Sequence, residues 1–141
     1  MGNVSSSIKK INYEDVQMIV KKEKDCLLIN TLNINEQKCL IQNTILADKE
    51  EEIMNHLLYK NKNKRIAVYG KNNSDFSVYK KYNQILSLGF KNVYIYIGGM
   101  FEWCLLQDIY GEENFKTTST VKDILYYKTR PNRDKNHLLL L

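Results

Sequence analysis

Cysteine, histidine and arginine are all scarce in this chain of 141 residues. It has three Cys (Cys26, Cys39, Cys104), two His (His56, His137) and three Arg (Arg65, Arg130, Arg133). The cysteines are odd in number, widely spaced and free of any CxxC or Cys/His spacing. That argues against a structural zinc site and against a disulfide scaffold, and it suits a reducing compartment. The net charge of +5 comes mostly from Lys scattered through helices and loops. A nucleic-acid binder more often clusters its basic residues on one face with Arg prominent, so no nucleic-acid partner is expected. No apolar run approaches the length of a membrane span, and the N-terminus lacks a secretory apolar region. The glycine signatures of nucleotide binding, GxGxxG and GxxxxGK, are missing, and no cofactor or metal is expected.

What remains is a chain with 43 % hydrophobic residues, enough for one domain with a proper core. Asn12 is placed to cap a helix from about Tyr13 to Lys24, whose Val16, Ile19 and Val20 share a face. CLLIN (26–30) is short and apolar enough for a buried strand. A polar loop to Lys38 follows, then an apolar patch at Cys39-Leu40-Ile41 and a further one at Thr44-Ile45-Leu46. Asp48 opens a helix with acidic residues in its first turn, where the helix dipole favours them. Its His56 lies beside the buried stripe and is expected to pack or meet solvent. IAVY (66–69) is a second buried strand. Val78, Tyr79, Tyr82, Ile85 and Leu86 are spaced for a helix that Gly89 ends. NVYIYIG is β-branched and aromatic throughout, and Gly98-Gly99 turns it into FEWCLLQDIY, stopped by Gly111. Ser119 is placed to cap a last short helix, TVKDILYYK, before a loose tail around Pro131. Strand and helix alternate at short spacing. The expected fold is α/β, with a central, mostly parallel sheet of about five strands and helices on both faces.

The first ten residues, MGNVSSSIKK, fit the N-myristoylation pattern M-G-x-x-x-[ST], with Gly2 as acceptor and Ser6 in the hydroxyl position. Lys9 and Lys10 follow at once, with Lys21, Lys22 and Lys24 further on. A single myristoyl chain binds membranes only marginally, so nearby basic residues would supply the second attraction. The expectation is a cytoplasmic protein held peripherally on a membrane surface through acylated Gly2.

Between the IAVY strand and the next helix runs YGKNNSDFS, the position where α/β domains usually place their chemistry. Its residues Gly70, Lys71, Asn72, Asn73, Ser74 and Asp75 include no Cys, no His and no Arg. Asn72, Asn73 and Ser74 supply turns and caps, while Asp75 adds negative charge where an anion would otherwise bind. The plain interpretation is a well-capped strand-to-helix turn. The sharper one is a residual site for an anion or a peptide.

The order of these parts resembles the rhodanese family. CLLIN stands where family members usually read L-I-D-x-R, and Leu40 to Ile45 resembles G-H-I-P-G-A-x-N. IAVYG resembles I-V-x-Y-C. The most specific piece is LGFKNVYIYIGGMFEW, in which Gly89, Phe90, Val93, Gly98, Gly99 and Trp103 match in order. The resemblance spans about Ile11 to Gly111, and the GGMFEWCLLQDIYG block is similar to a divergent subgroup found in protists and large DNA viruses. The expected organisation is a flexible acylation segment at 1–10, a rhodanese-like domain at 11–116, and a C-terminal helix with a loose tail at 117–141, both termini lying outside the resemblance.

In active rhodaneses a loop Cys carries sulfur as a persulfide, stabilised by loop N–H groups and the following helix N-terminus. By the resemblance that Cys falls on Gly70. The family's Asp and Arg fall on Asn30 and Leu32, its Gly-His on Cys39-Leu40, and its late basic residue on Asp75 or Phe76. The expectation is therefore a non-catalytic binding or regulatory module, with an unidentified protein partner and weak anion binding at the loop. The alternative is a thiosulfate or persulfide sulfurtransferase with a displaced nucleophile, Cys39. The dual-specificity phosphatases of the same fold need a thiolate and an Arg, and the loop holds neither.

Overall fold

The computed structural model describes residues 7–22 and 24–131. Gly2 lies outside them, as does the tail from 132 onward. In chain order the elements are strand β1 (Lys10–Ile11), helix α1 (Tyr13–Lys21), strand β2 (Cys26–Asn30) and a 3-10 turn (Ile34–Glu36). Helix α2 (Ala47–Lys60), strand β3 (Arg65–Tyr69) and helix α3 (Phe76–Ser87) follow. Strand β4 (Val93–Tyr96), helix α4 (Gly99–Tyr110) and a second 3-10 turn (Ile124–Tyr127) complete the order. The strands form one parallel sheet ordered β1-β4-β3-β2.

The period-2 alternation of strand side chains divides the core cleanly. Leu28, Ala67, Tyr69 and Tyr96 face one side, where Val16 of α1 and Met100, Trp103 and Cys104 of α4 cover them. Ile29, Ile66, Val68, Val93 and Ile95 face the other, against Met54 of α2 and Val78, Tyr82 and Ile85 of α3. Parallel strands buried on both faces require such continuous apolar runs. The caps expected from sequence are in place. Asn12 accepts from Asp15 N–H at 3.0 Å and closes a reciprocal capping box. Gly89 and Gly111 adopt φ of 107° and 103° at the helix ends.

Two expectations need correction. The sheet has four strands, not about five. Residues 39–46 touch it through the single parallel bridge Leu28–Thr44. Asn43, with φ of 70°, turns the chain there, and both the N–H and the hydroxyl of Thr44 return to the Ile41 carbonyl. A backbone folded on itself cannot extend a ladder. In place of the expected helix TVKDILYYK there is only the 3-10 turn at Ile124–Tyr127. Ser119 does not cap it, because its hydroxyl donates to the Lys38 carbonyl at 3.0 Å. Asp123 caps it instead, accepting from Leu125 N–H. Residues 117–127 are packed on the domain: Thr117 bridges to Ile41, Thr118 N–H donates to Leu40 O, and Tyr127 is buried in the first core cluster.

Candidate functional site

All strands run the same way, so the segments that follow them gather at one end of the sheet. Register places Asn30, Tyr69 and Tyr96 side by side at that end. The 31–38 loop, the 70–75 loop and the Gly98-Gly99 turn therefore meet there, as ligand-binding crevices do in parallel sheets.

Gly70 leaves β3 and is pinned at once. Its carbonyl accepts from Met100 N–H at 2.9 Å, and the Lys71 carbonyl accepts from Phe101 N–H at 2.8 Å. The first turn of α4 thus spends two free N–H groups on the loop backbone. The approach is so close that a Cβ on Gly99, whose φ is +65°, would sit 2.6 Å from Gly70 O. Glycine at 99 is required on both counts.

A Cβ on Gly70 itself would lie 2.4 Å from Asp75 Oδ2, 2.5 Å from Val78 Cγ2 and 2.9 Å from Thr31 Oγ1. The place of a side chain at 70 is already filled. The Asp75 carboxylate that fills it also takes the loop's donors. Lys71 N–H donates to Oδ2 at 3.0 Å, while Ser77 N–H and Ser77 Oγ–H donate to Oδ1 at 3.0 and 2.6 Å. Ser74 N–H turns to Asn72 Oδ1 at 2.9 Å, an Asx turn. An internal carboxylate thus occupies the anion-facing side of the loop, and it caps α3 as well.

Asn30 is buried and holds the 31–37 loop. Its Oδ1 accepts from Leu32 N–H and Gln37 Nε2, both at 2.9 Å. Leu32 is buried too. Glu36 anchors a small charged cluster: Lys71 Nζ lies 2.8 Å from its Oε2, and Tyr126 O–H and Asn33 N–H also donate to it. Burial alone would raise the Glu36 carboxyl. The Lys71 and Tyr126 hydrogen bonds, with the Asn33 N–H, outweigh it and hold the group below the usual carboxylate range. The same Lys71 ammonium lies 4.7 Å from the Tyr126 ring centroid. Asn72 Nδ2 donates to the Tyr127 carbonyl at 2.8 Å, tying the C-terminal segment to the loop.

Together these segments wall an open groove of about 720 Å3, lined on one side by Lys71, Asn72 and Asp75 and on the other by Tyr126, Lys128 and Arg130. Cys39 is not among the groove's lining residues. It is buried beneath the 116–119 segment, its Sγ 3.4 Å from Ser119 O, in the same core cluster as Tyr69 and Cys104. Burial pushes the Cys104 thiol up to about 12 and Cys26 up to about 11. Such thiols behave as small core residues rather than as nucleophiles. Among the described residues, no group of His, Cys, Asp and Glu is arranged to hold a metal ion.

Residues 21–106 match the Rhodanese-like domain family. The chain belongs to that family. Solved structures show the same fold. The BH2092 protein from Bacillus halodurans superimposes with a TM-score of 0.61 at 19 % identity, over 92 % of this chain and 89 % of that one. The Alr3790 protein from Anabaena sp. gives 0.56 at 17 % identity, over 79 % and 94 %. Ygr203w, described as a yeast protein tyrosine phosphatase of the Rhodanese family, gives 0.57 at 10 % identity, over 84 % and 96 %. No curated protein matches the chain by sequence. In this rhodanese-like domain the groove wall formed by Tyr126, Lys128 and Arg130 was not legible as part of a site. Its one sequence signal is the Tyr126-Tyr127 pair, which divides into a buried ring and a half-exposed one.

Proposed function

We propose that this chain is a non-catalytic rhodanese-like binding module that acts at a membrane surface through acylated Gly2. The observation that carries the first half is the filled position at Gly70: no nucleophile stands there, a Cβ would meet the Asp75 carboxylate at 2.4 Å, and that carboxylate already accepts from the Lys71 and Ser77 N–H groups. The membrane half is supported by the pattern M-G-x-x-x-[ST] at residues 1–6 and by the exposed Lys9 and Lys10 shortly after it. No helix among the described residues is long and apolar enough to cross a membrane, so attachment would depend on the acyl chain and the basic residues. The phosphatase description of the yeast relative does not carry over, because residues 70–75 contain neither Cys nor Arg.

A thiosulfate:cyanide transfer assay tests this reading, with wild type and Cys39→Ser side by side. No transfer above the uncatalysed rate is expected from either protein. Transfer by wild type that disappears in Cys39→Ser would replace the binding module with a sulfurtransferase using that thiol.

A further inference from the structure

Building on the non-catalytic reading of the loop, we propose that the groove docks an extended, acidic segment of a partner protein carrying at least one bulky apolar side chain. Its volume of about 720 Å3 lies in the range that encloses small ligands or short peptide stretches.

Charge selects the acidic partner. Of the two carboxylates in the lining, Glu36 is paired with Lys71 and further bonded by Tyr126 and Asn33, while Asp75 is held by Lys71 N–H and Ser77 without a cation. Among the described residues, Lys128 and Arg130 of the opposite wall lie within ion-pair distance of no carboxylate. A neighbouring pocket shares Thr31, Leu32 and Ser77 with the groove and is lined by Lys80, which among the described residues has no such partner either, and by the paired Glu50 and Lys81. The cationic groups left over therefore outnumber the anionic ones, and complementary potentials steer and align such encounters.

The rim selects the apolar anchor. Leu125 and Tyr126 line the groove yet are 60 % and 53 % exposed. Ile34 and Phe76, next in the chain to the lining residues Asn33 and Asp75, are 83 % and 86 % exposed. Leu125 and Tyr126 thus stand beside a polar floor, with Ile34 and Phe76 exposed at positions adjacent in the chain, and an apolar anchor ringed by polar contacts is the arrangement of an interface. A concave site with walls on two sides fits a chain segment better than a flat lipid surface.

The test titrates the full-length chain into fluorescein-labelled poly(Glu,Tyr), read by anisotropy. Lys128→Glu with Arg130→Glu should weaken binding about tenfold, and Phe76→Ser with Leu125→Ser severalfold. Lys21→Glu with Lys22→Glu makes the same change in net charge near the starts of the strands, at the opposite end of the sheet, and should change binding less than about twofold. All six residues are exposed, so the fold should persist, as circular dichroism would verify. No binding, or equal loss in the two charge-reversed proteins, would overturn the proposal. So would sedimentation of the unacylated chain with phosphatidylserine vesicles through Lys128 and Arg130 without copolymer binding, which would assign the face to lipid. The sulfur-transfer assay keeps the two readings apart. Transfer with intact copolymer binding removes the non-catalytic reading and leaves the groove. Absence of both removes the groove alone.

Discussion

Lys71 donates its backbone N–H to the carboxylate of Asp75 at 3.0 Å, so the first donor of the loop after β3 is satisfied from within the chain. The same carboxylate stands 2.4 Å from where a Cβ on Gly70 would be. The absence of a side chain at 70 and the presence of the carboxylate at 75 are therefore one structural fact. The loop keeps its path, its cap on α3 and its contacts to α4, while its anion-facing side is closed by a permanent internal anion.

Introducing a thiol at position 70 should destabilise the domain. Gly70→Cys must push aside the Asp75 carboxylate, which can rotate, and the methyl of Val78, which is buried and cannot. Overpacking of this kind costs about 1–3 kcal/mol, measurable as a lower urea midpoint at unchanged slope. Adding Asp75→Ser should recover part of the loss, because Ser still caps a helix and vacates the space. Gly70→Cys as stable as wild type would show that the loop is looser than its contacts imply.

Asp75→Ala removes both the α3 cap and the acceptor for Lys71 N–H, and should destabilise the domain by about 1–2 kcal/mol. It also exposes the donors. Sulfate or thiosulfate should then raise the melting temperature of the variant and leave that of wild type unchanged. Equal shifts in the two proteins would mean that the anions bind elsewhere.

Much of the fold was legible because local and tertiary preferences agree. The helices with Asn12 or Gly89 at an end fall where expected, and the β-branched strands pair in parallel as their two-sided burial demands. Helix α1 stops at Lys21 rather than Lys24, and the last helix is replaced by a 3-10 turn. The second difference lies where tertiary bonds overrule propensity: Ser119 serves Lys38 rather than its own helix, and Tyr127 is drawn into the core. That residues 70–75 hold no Cys, His or Arg could be read directly. That Asp75 fills the place of a side chain at 70 could not, because a carboxylate five residues along a loop from a glycine carries no sign of which way it points. The pairing of Glu36 with Tyr126 joins residues far apart in sequence, and neither residue's neighbours announce it.

Tyr69 replaces the missing strand pairing of the 39–46 segment. Its ring is fully buried, its oxygen accepts from Ile41 N–H at 3.1 Å, and it lies 2.8 Å from Thr44 Oγ1. Burial drives its phenol well above the ordinary range, so it stays protonated throughout the working range of pH. Tyr69→Phe keeps the ring and leaves a buried N–H without its partner, at a cost of about 1–3 kcal/mol. Hydrogen exchange should localise the effect: faster exchange at Ile41 and Thr44, with β3 itself little changed. Uniform acceleration would mean that the segment is not held separately.

Glu36 gives the groove a pH dependence of definite sign. Its folded carboxyl titrates below the unfolded one, so its contribution is complete above the unfolded value of about 4.3 and is lost as pH falls through the lower folded value. Glu36→Gln should cost on the order of 1 kcal/mol at neutral pH, through the weakened Lys71 and Tyr126 bonds. The gap between the two proteins should then narrow in urea titrations taken at successively lower pH. A gap that is constant with pH would place the effect in packing rather than in charge.

Membrane attachment through Gly2 has its own arithmetic. One myristoyl chain gives marginal, reversible binding, and each nearby Lys adds about 1 kcal/mol at an anionic surface. Lys9 and Lys10 stand at the start of the edge strand β1, exposed, so they would face the same surface as the acyl group. Gly2→Ala should move the protein from the membrane to the soluble fraction, and its intact mass should lack the acyl increment expected of wild type. Lys10→Gln should retain the increment yet weaken vesicle partition roughly fivefold at low salt, with the difference vanishing at high salt. Wild type without the increment would end the acylation reading. An acylated wild type that distributes like Gly2→Ala would instead show that the chain and its lysines together do not suffice to hold it.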